Sequence, residues 1–143
     1  MFGTLKTFDP KKGLLTIGGI PIEGYADGTY INLTWPEDLW NAKSGADGER
    51  DRIKNATGFL ANLEVTLMQG ATINAALWAL MELDYNTNSP FPILFKDLQG
   101  VTVWESSKCF FTKPSPYTLE KASPSNRVWA FELPKVIGVI GGN

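Results

Sequence analysis

"FLANLEVTLM", residues 59–68, decides the fold class of this 143-residue chain. Phe59, Ala61, Leu63, Val65 and Leu67 alternate with Asn62, Glu64 and Thr66, and a strand sends successive side chains to opposite faces. One face is apolar and the other polar, the pattern of a half-buried β-strand. Upstream, "GTYINLTW" (residues 28–35) repeats the signal, with Ile31, Leu33 and Trp35 on one side and Asn32 and Thr34 on the other. The two segments are suited to pair as antiparallel neighbours.

Between them lies "LWNAKSGADGERDRIKNATG", residues 39–58, with hardly an apolar side chain. It reads as a long polar loop, and loops beyond ~12–15 residues are uncommon in compact domains unless they are functional or disordered. Lys43, Arg50, Arg52 and Lys54 stand against Asp47, Glu49 and Asp51, a near balance that does not fit a nucleic-acid-binding loop. Mixed signs between glycine hinges suit docking onto a complementary polar surface, where charge pairing sets register more than affinity. Trp40, at the root, is a candidate partner contact. The plainer reading is a floppy surface loop.

Downstream, Ile73, Ala76, Leu77, Leu80 and Met81 fall at helical spacing. The spacing predicts one α-helix over about residues 72–85, with Thr72 as N-cap and "NTNSP" as its stop. The remainder reads as strands: "PILFKDL", a tight turn at Leu98-Gln99-Gly100-Val101, "VTVWESSKCFFTK", a proline-punctuated connection, and "RVWAFELPKVIGVIGG". The expected fold is a single, mainly β domain spanning 1–143, a two-sheet β-sandwich or partly closed barrel with one flanking helix.

Composition narrows the function. Hydrophobic residues make up 43% and charged residues 20% of the chain, as in a globular domain. Its apolar runs are too short to cross a bilayer, and no signal peptide is evident at the N-terminus, so a cytosolic site of synthesis is expected. There is one cysteine, Cys109, and no histidine. The common zinc sites and the Ser/His or Cys/His nucleophile pairs therefore cannot be assembled, and Cys109 reads as a small buried residue. A net charge of −2 and the single basic pair Lys11-Lys12 argue against a nucleic-acid binder. "GADGERD" resembles a calcium loop but lacks its ligand spacing, and Arg50 and Arg52 interrupt the carboxylates. The Asn-X-Thr triplets at Asn32 and Asn55 read as chance matches. Of the five tryptophans, Trp35, Trp78, Trp104 and Trp129 lie in regular segments and are expected in the core or an interface. No acid/base pair emerges, so catalysis is not expected.

"GYADGTYINLTWPEDLWNAKSGADGERDRIKNATGFLANLEVTLMQG" with the following helix and "FPILFKDLQG" resembles the tail tube proteins of contractile-tailed, myovirus-type phages. In that group a "G-[FY]-A-D-G-T" strand start leads to a "G-A-D-G-E-x-x-R-x-x-N" loop, and the chain closes on an "R-x-W-x-F" strand and "GGN". The resemblance covers nearly the whole chain and is weakest over "SSKCFFTKPSPYTLEKA". It implies a fold similar to the tube protein of type VI secretion, hexameric rings stacked into a hollow tube, and a virion role as the conduit for DNA during ejection. No cofactor is implied. The implied partners are other copies of the chain, the tail sheath, the baseplate hub, the tape measure protein and the tail terminator, with DNA passing only transiently. It also implies that Trp40, Lys43, Asp47, Glu49, Arg50, Asp51, Arg52 and Lys54 reach a neighbouring subunit or ring. A conduit must not hold DNA, and six-fold repetition multiplies any basic side chain into a trap. Asn32, Thr34, Asn62, Glu64 and Thr66 are accordingly expected to face the lumen. The alternatives are a secretion-system tube protein of the same fold and a β-sandwich carbohydrate-binding module using exposed aromatic residues.

Overall fold

The structure is a computed structural model and describes residues 13–26, 30–98, 100–119 and 125–141. Lys11-Lys12, Asp27 to Thr29 of the "GYADGT" segment, and Gln99 of the predicted turn lie outside the described residues. The elements are β1 (Gly13–Ile17), β2 (Ile20–Pro21), β3 (Ile31–Thr34), β4 (Trp40–Ser44), β5 (Arg50–Lys54), β6 (Ala61–Met68), α1 (Ile73–Thr87), β7 (Phe91–Asp97), β8 (Val103–Lys113), β9 (Asn126–Leu133) and β10 (Ile137–Val139).

All strand pairs are antiparallel, in the order β2-β1-β7-β8-β9-β6-β3, with β10 also on β8. Strand β8, 11 residues long, serves both layers of the fold. Its first part, Val103 to Cys109, pairs with β7, and its last part, Phe110 to Lys113, pairs with β9. The register shifts between Phe91 and Ile93 and again between Phe111 and Lys113. Such irregularities bend and twist a strand, and here they carry β8 from one sheet into the other. The product is a two-sheet sandwich without a closed barrel. Strands β9 and β10 run along β8 in one register, from Glu132↔Phe110 to Ile137↔Glu105, interrupted at Pro134, which has no N–H to give.

The alternation read from the sequence sets the layers. Ala61, Leu63, Val65 and Leu67 of β6 are fully buried, against Leu15, Ile17 and Ile93 of the other sheet. Strand β3 pairs with β6 from Ile31↔Val65 to Thr34↔Asn62, as expected of the flanking segments. In β9 the inward set is Arg127, Trp129, Phe131 and Leu133. The "R-x-W-x-F" signature is therefore a core motif, its Arg127 guanidinium held by Ser115 Oγ at 3.1 Å and lying over the Trp129 ring.

Helix α1 packs Leu77, with Ile73, Leu80 and Met81, onto this core. Its start falls at Thr72, as expected, but is held differently. Thr72 is already helical in conformation and makes no side-chain capping bond. The tie is made instead by Asn74, whose amide donates to Met68 O (3.0 Å) and Gln69 O (3.2 Å) and accepts from Trp129 Nε1 (3.0 Å). Asn88, at φ 53°, ends the helix in left-handed geometry. The tryptophans divide: Trp104 and Trp129 are buried, while Trp35 and Trp78 remain 41% and 40% exposed. Trp35 packs edge-on against exposed Phe59, and Trp78 against Trp129, so both sit at the rim of the core.

Candidate functional site

Residues 39–58 are not a structureless loop. Strands β4 and β5 pair from Trp40↔Lys54 to Ser44↔Arg50 as a separate two-stranded arm. Its tip is built by "GADGE": Gly48 N–H donates to Gly45 O (3.2 Å), Gly45 N–H donates to Glu49 O (2.7 Å), and Asp47 Oδ1 accepts from Glu49 N–H (3.2 Å). Gly48 stands at φ +89°, the left-handed residue that closes a three-residue hairpin loop. The segment with a calcium-loop look is turn chemistry. Among the described residues no group of three or more acidic, Cys or His side chains is placed to hold a metal.

The root is firm. Asn55 N–H donates to Leu39 O (2.9 Å), Asn55 Nδ2 to Asp38 O (2.9 Å), and Asn55 Oδ1 accepts from Thr57 N–H (3.1 Å). Gly58 is packed so closely that a Cβ there would lie 3.1 Å from Leu39 Cα. Val136 N–H donates to Phe59 O (3.0 Å) and ties the root to the β9–β10 corner. The Asn55-Ala56-Thr57 triplet is thus a structural clasp.

Every residue of β4 and β5 is exposed. The strand period has a consequence that the linear charge count conceals. Arg50, Arg52 and Lys54 lie on one face, opposite Ser44, Ala42 and Trp40. Asp51 and Ile53 lie on the other, opposite Lys43 and Asn41. Arg52 sits 4.0 Å over the Trp40 ring, and Arg50 donates to Ser44 Oγ at 3.3 Å. Among the described residues none of Arg50, Arg52 and Lys54 forms an ion pair. The arm therefore presents a preformed row of cations beside an aromatic ring. Asp47 belongs to the tip, with Glu49 just beside it.

The five residues expected on one polar face do share it. Asn32 lies opposite Glu64 and Thr34 opposite Asn62, while Thr66 pairs with Val128 on β9. The same face continues through Ala130, opposite Glu64, and Glu132, opposite Asn62. Glu132 was not singled out by sequence because its strand reads first as a core strand. The face carries two carboxylates on β3, β6 and β9 and no cation, since Arg127 points inward.

Elsewhere, Cys109 is buried, its Sγ lies 3.4 Å from Ser106 O, and burial pushes its thiol pKa up, which makes it a poor nucleophile. Tyr25 OH, Gln69 Oε1 and Ser125 Oγ are buried with no hydrogen-bond partner among the described residues. Burial raises the Tyr25 phenol above its ordinary range, with Tyr30 and Glu23 adding to it.

No protein-family model and no curated protein matches this chain. Solved structures do. The tube-terminating cap of the anti-feeding prophage superposes with a TM-score of 0.60 at 10% identity, over 96% of this chain and 93% of that one. The sheath/tube terminator of the extracellular contractile injection system PVC, in its extended state, gives 0.61 at 12% identity, over 94% and 98%. At such identities the likeness is one of fold.

Proposed function

We propose that this chain is a structural subunit of a contractile tail, whose copies close into hexameric rings that stack as the tail tube and conduct DNA during ejection. The observation that carries the reading is the arm: a hairpin tied to the sandwich at its root, every residue of its two strands exposed among the described residues. A lone two-stranded hairpin is marginal in water, so its place is against a partner. The nearly full-length likeness in fold to cap and terminator proteins of contractile systems supports the same reading. Among the described residues strand β3 pairs with β6 alone, at the end of the strand order, and ring closure covers such edges. The polar face of β3, β6 and β9 lines the lumen, where Glu64 and Glu132 repel a polyanion. Sheath, tape measure protein, hub and terminator are the further partners of this reading, and the role involves no catalysis.

A second reading, the tube terminator, is favoured by the two named likenesses, both of which end a tube. Negative-stain micrographs over a concentration series separate the two. Hollow tubes with six-fold end views are expected of a tube subunit. Single rings that never stack, and that bind the end of preformed tubes, assign the terminator. A protein that stays monomeric with tube ends present refutes both.

A further inference from the structure

We propose that the cationic face of the arm docks into a groove on a second copy of this chain, between the C-terminal half of α1 and the end of β8. The inference deepens the ring reading above and rests on it. The groove is open, about 660 Å³, and its apolar walls are Met81, Tyr85, Phe111 and Pro114. Glu82 and Asp84 line it, against the single cation Lys113. Helix α1 carries no basic residue in its last turn. Thr87 Oγ1 donates to Leu83 O and Asn88 N–H to Asp84 O, but no cation of that turn offsets the ~0.5 of a negative charge at the helix end.

The two surfaces are complementary in kind. On the arm, alternate residues of a strand place Arg50, Arg52 and Lys54 at steps of ~6.8 Å, with Trp40 stacked beneath Arg52. In the groove, two carboxylates and a helix C-terminus meet apolar walls that include Tyr85, 86% exposed. A stacked Trp–Arg pair entering an apolar, acid-lined groove is the composition of an interface hot spot. A duplex of DNA is the other polyanion such a row could meet. The second copy is favoured because the tip beside the row carries Asp47 and Glu49, which repel phosphate at close range, while Asp51 on the opposite face stands across from Lys43, and because the groove offers something for Trp40 to pack on.

Paired charge reversal tests it, with sedimentation velocity and negative-stain microscopy as readouts. Arg50→Glu with Arg52→Glu on the arm, or Glu82→Arg with Asp84→Arg on the groove, each raise the concentration needed for assembly by about tenfold or more. Combining all four restores it. Circular dichroism checks that each variant is folded, and the arm variants remain so because β4 and β5 bury nothing. Wild-type rings with no restoration in the combined variant overturn the groove and leave the ring reading standing. A wild-type protein that never assembles overturns the ring reading together with this one. Tight binding of a labelled DNA duplex that is lost with Arg50→Glu and Arg52→Glu assigns the row to phosphate and also overturns the proposal.

Discussion

Replacing Asn41–Ile53 by Asn-Gly removes the arm and leaves Trp40 and Lys54, already cross-strand partners, to flank a two-residue hairpin turn. The expected cost to the subunit is small, and the structure says why. No residue of β4 or β5 is buried, so no apolar area returns to water from a core position. The root contacts between Leu39, Asn55, Thr57 and Gly58 lie outside the excision. The connection between β3 and β6 shortens by nearly half, which lowers its closure entropy cost by about 0.5 kcal/mol. The hairpin itself is marginal and its loss cancels most of that gain. The net change in stability is within about 1 kcal/mol of zero, a shift in Tm of no more than about 4 °C.

Thermal melts followed by circular dichroism, with urea unfolding as a second probe, measure this directly. Assembly of the same protein, followed by sedimentation and microscopy, is expected to be abolished. The contrast between intact folding and lost assembly is the content of the prediction. A destabilisation beyond about 3 kcal/mol, of the size that loss of core packing produces, refutes the view that the arm is external to the fold. Unchanged rings from the armless protein refute its role in assembly.

Three further variants probe the core and its edges. Gly138→Ala places a Cβ on the Val103 carbonyl and 2.8 Å from Trp104 Cα, at a φ of +142°; it costs on the order of 3 kcal/mol and strips β10 from β8, read as a lower urea midpoint and faster amide exchange in β10. Trp129→Phe leaves Asn74 Oδ1 buried without its donor and opens space in the core; it costs ~2–4 kcal/mol, and an unchanged urea midpoint refutes the linkage of α1 to β9. Tyr25→Phe removes a buried hydroxyl that has no partner among the described residues and stabilises by ~1 kcal/mol. The native Tyr25 also makes the fold alkali-sensitive: its pKa is raised in the folded state, so its contribution is complete below the ordinary tyrosine value of about 10 and is lost as pH rises past it. The Phe variant is expected to lose less stability between neutral pH and pH above about 10 than the wild type does.

What the sequence made legible follows from burial. Where one face meets a core, the alternation is written in residue type: Leu63, Val65 and Leu67 against Asn62, Glu64 and Thr66 placed β6, its partner β3 and the polar sheet face correctly. The same logic recovered α1 from Leu77 and its neighbours and its start at Thr72, but missed the tie that holds that start, because Asn74 works through bonds to Met68, Gln69 and Trp129 that are remote in pattern. The arm escaped detection as a hairpin for the opposite reason. Neither of its faces is buried, so no apolar period marks β4 or β5, and only Asp47-Gly48 signalled a turn. Once the strands are known, "ERDRIK" acquires a meaning that the charge tally lacked. Its interleaved signs are a period of two, which sends Arg50, Arg52 and Lys54 one way and Asp51 and Ile53 the other. A near-neutral segment of sequence thereby becomes a one-sided cationic surface in space. The sidedness, rather than the net charge, is the property on which a docking partner selects.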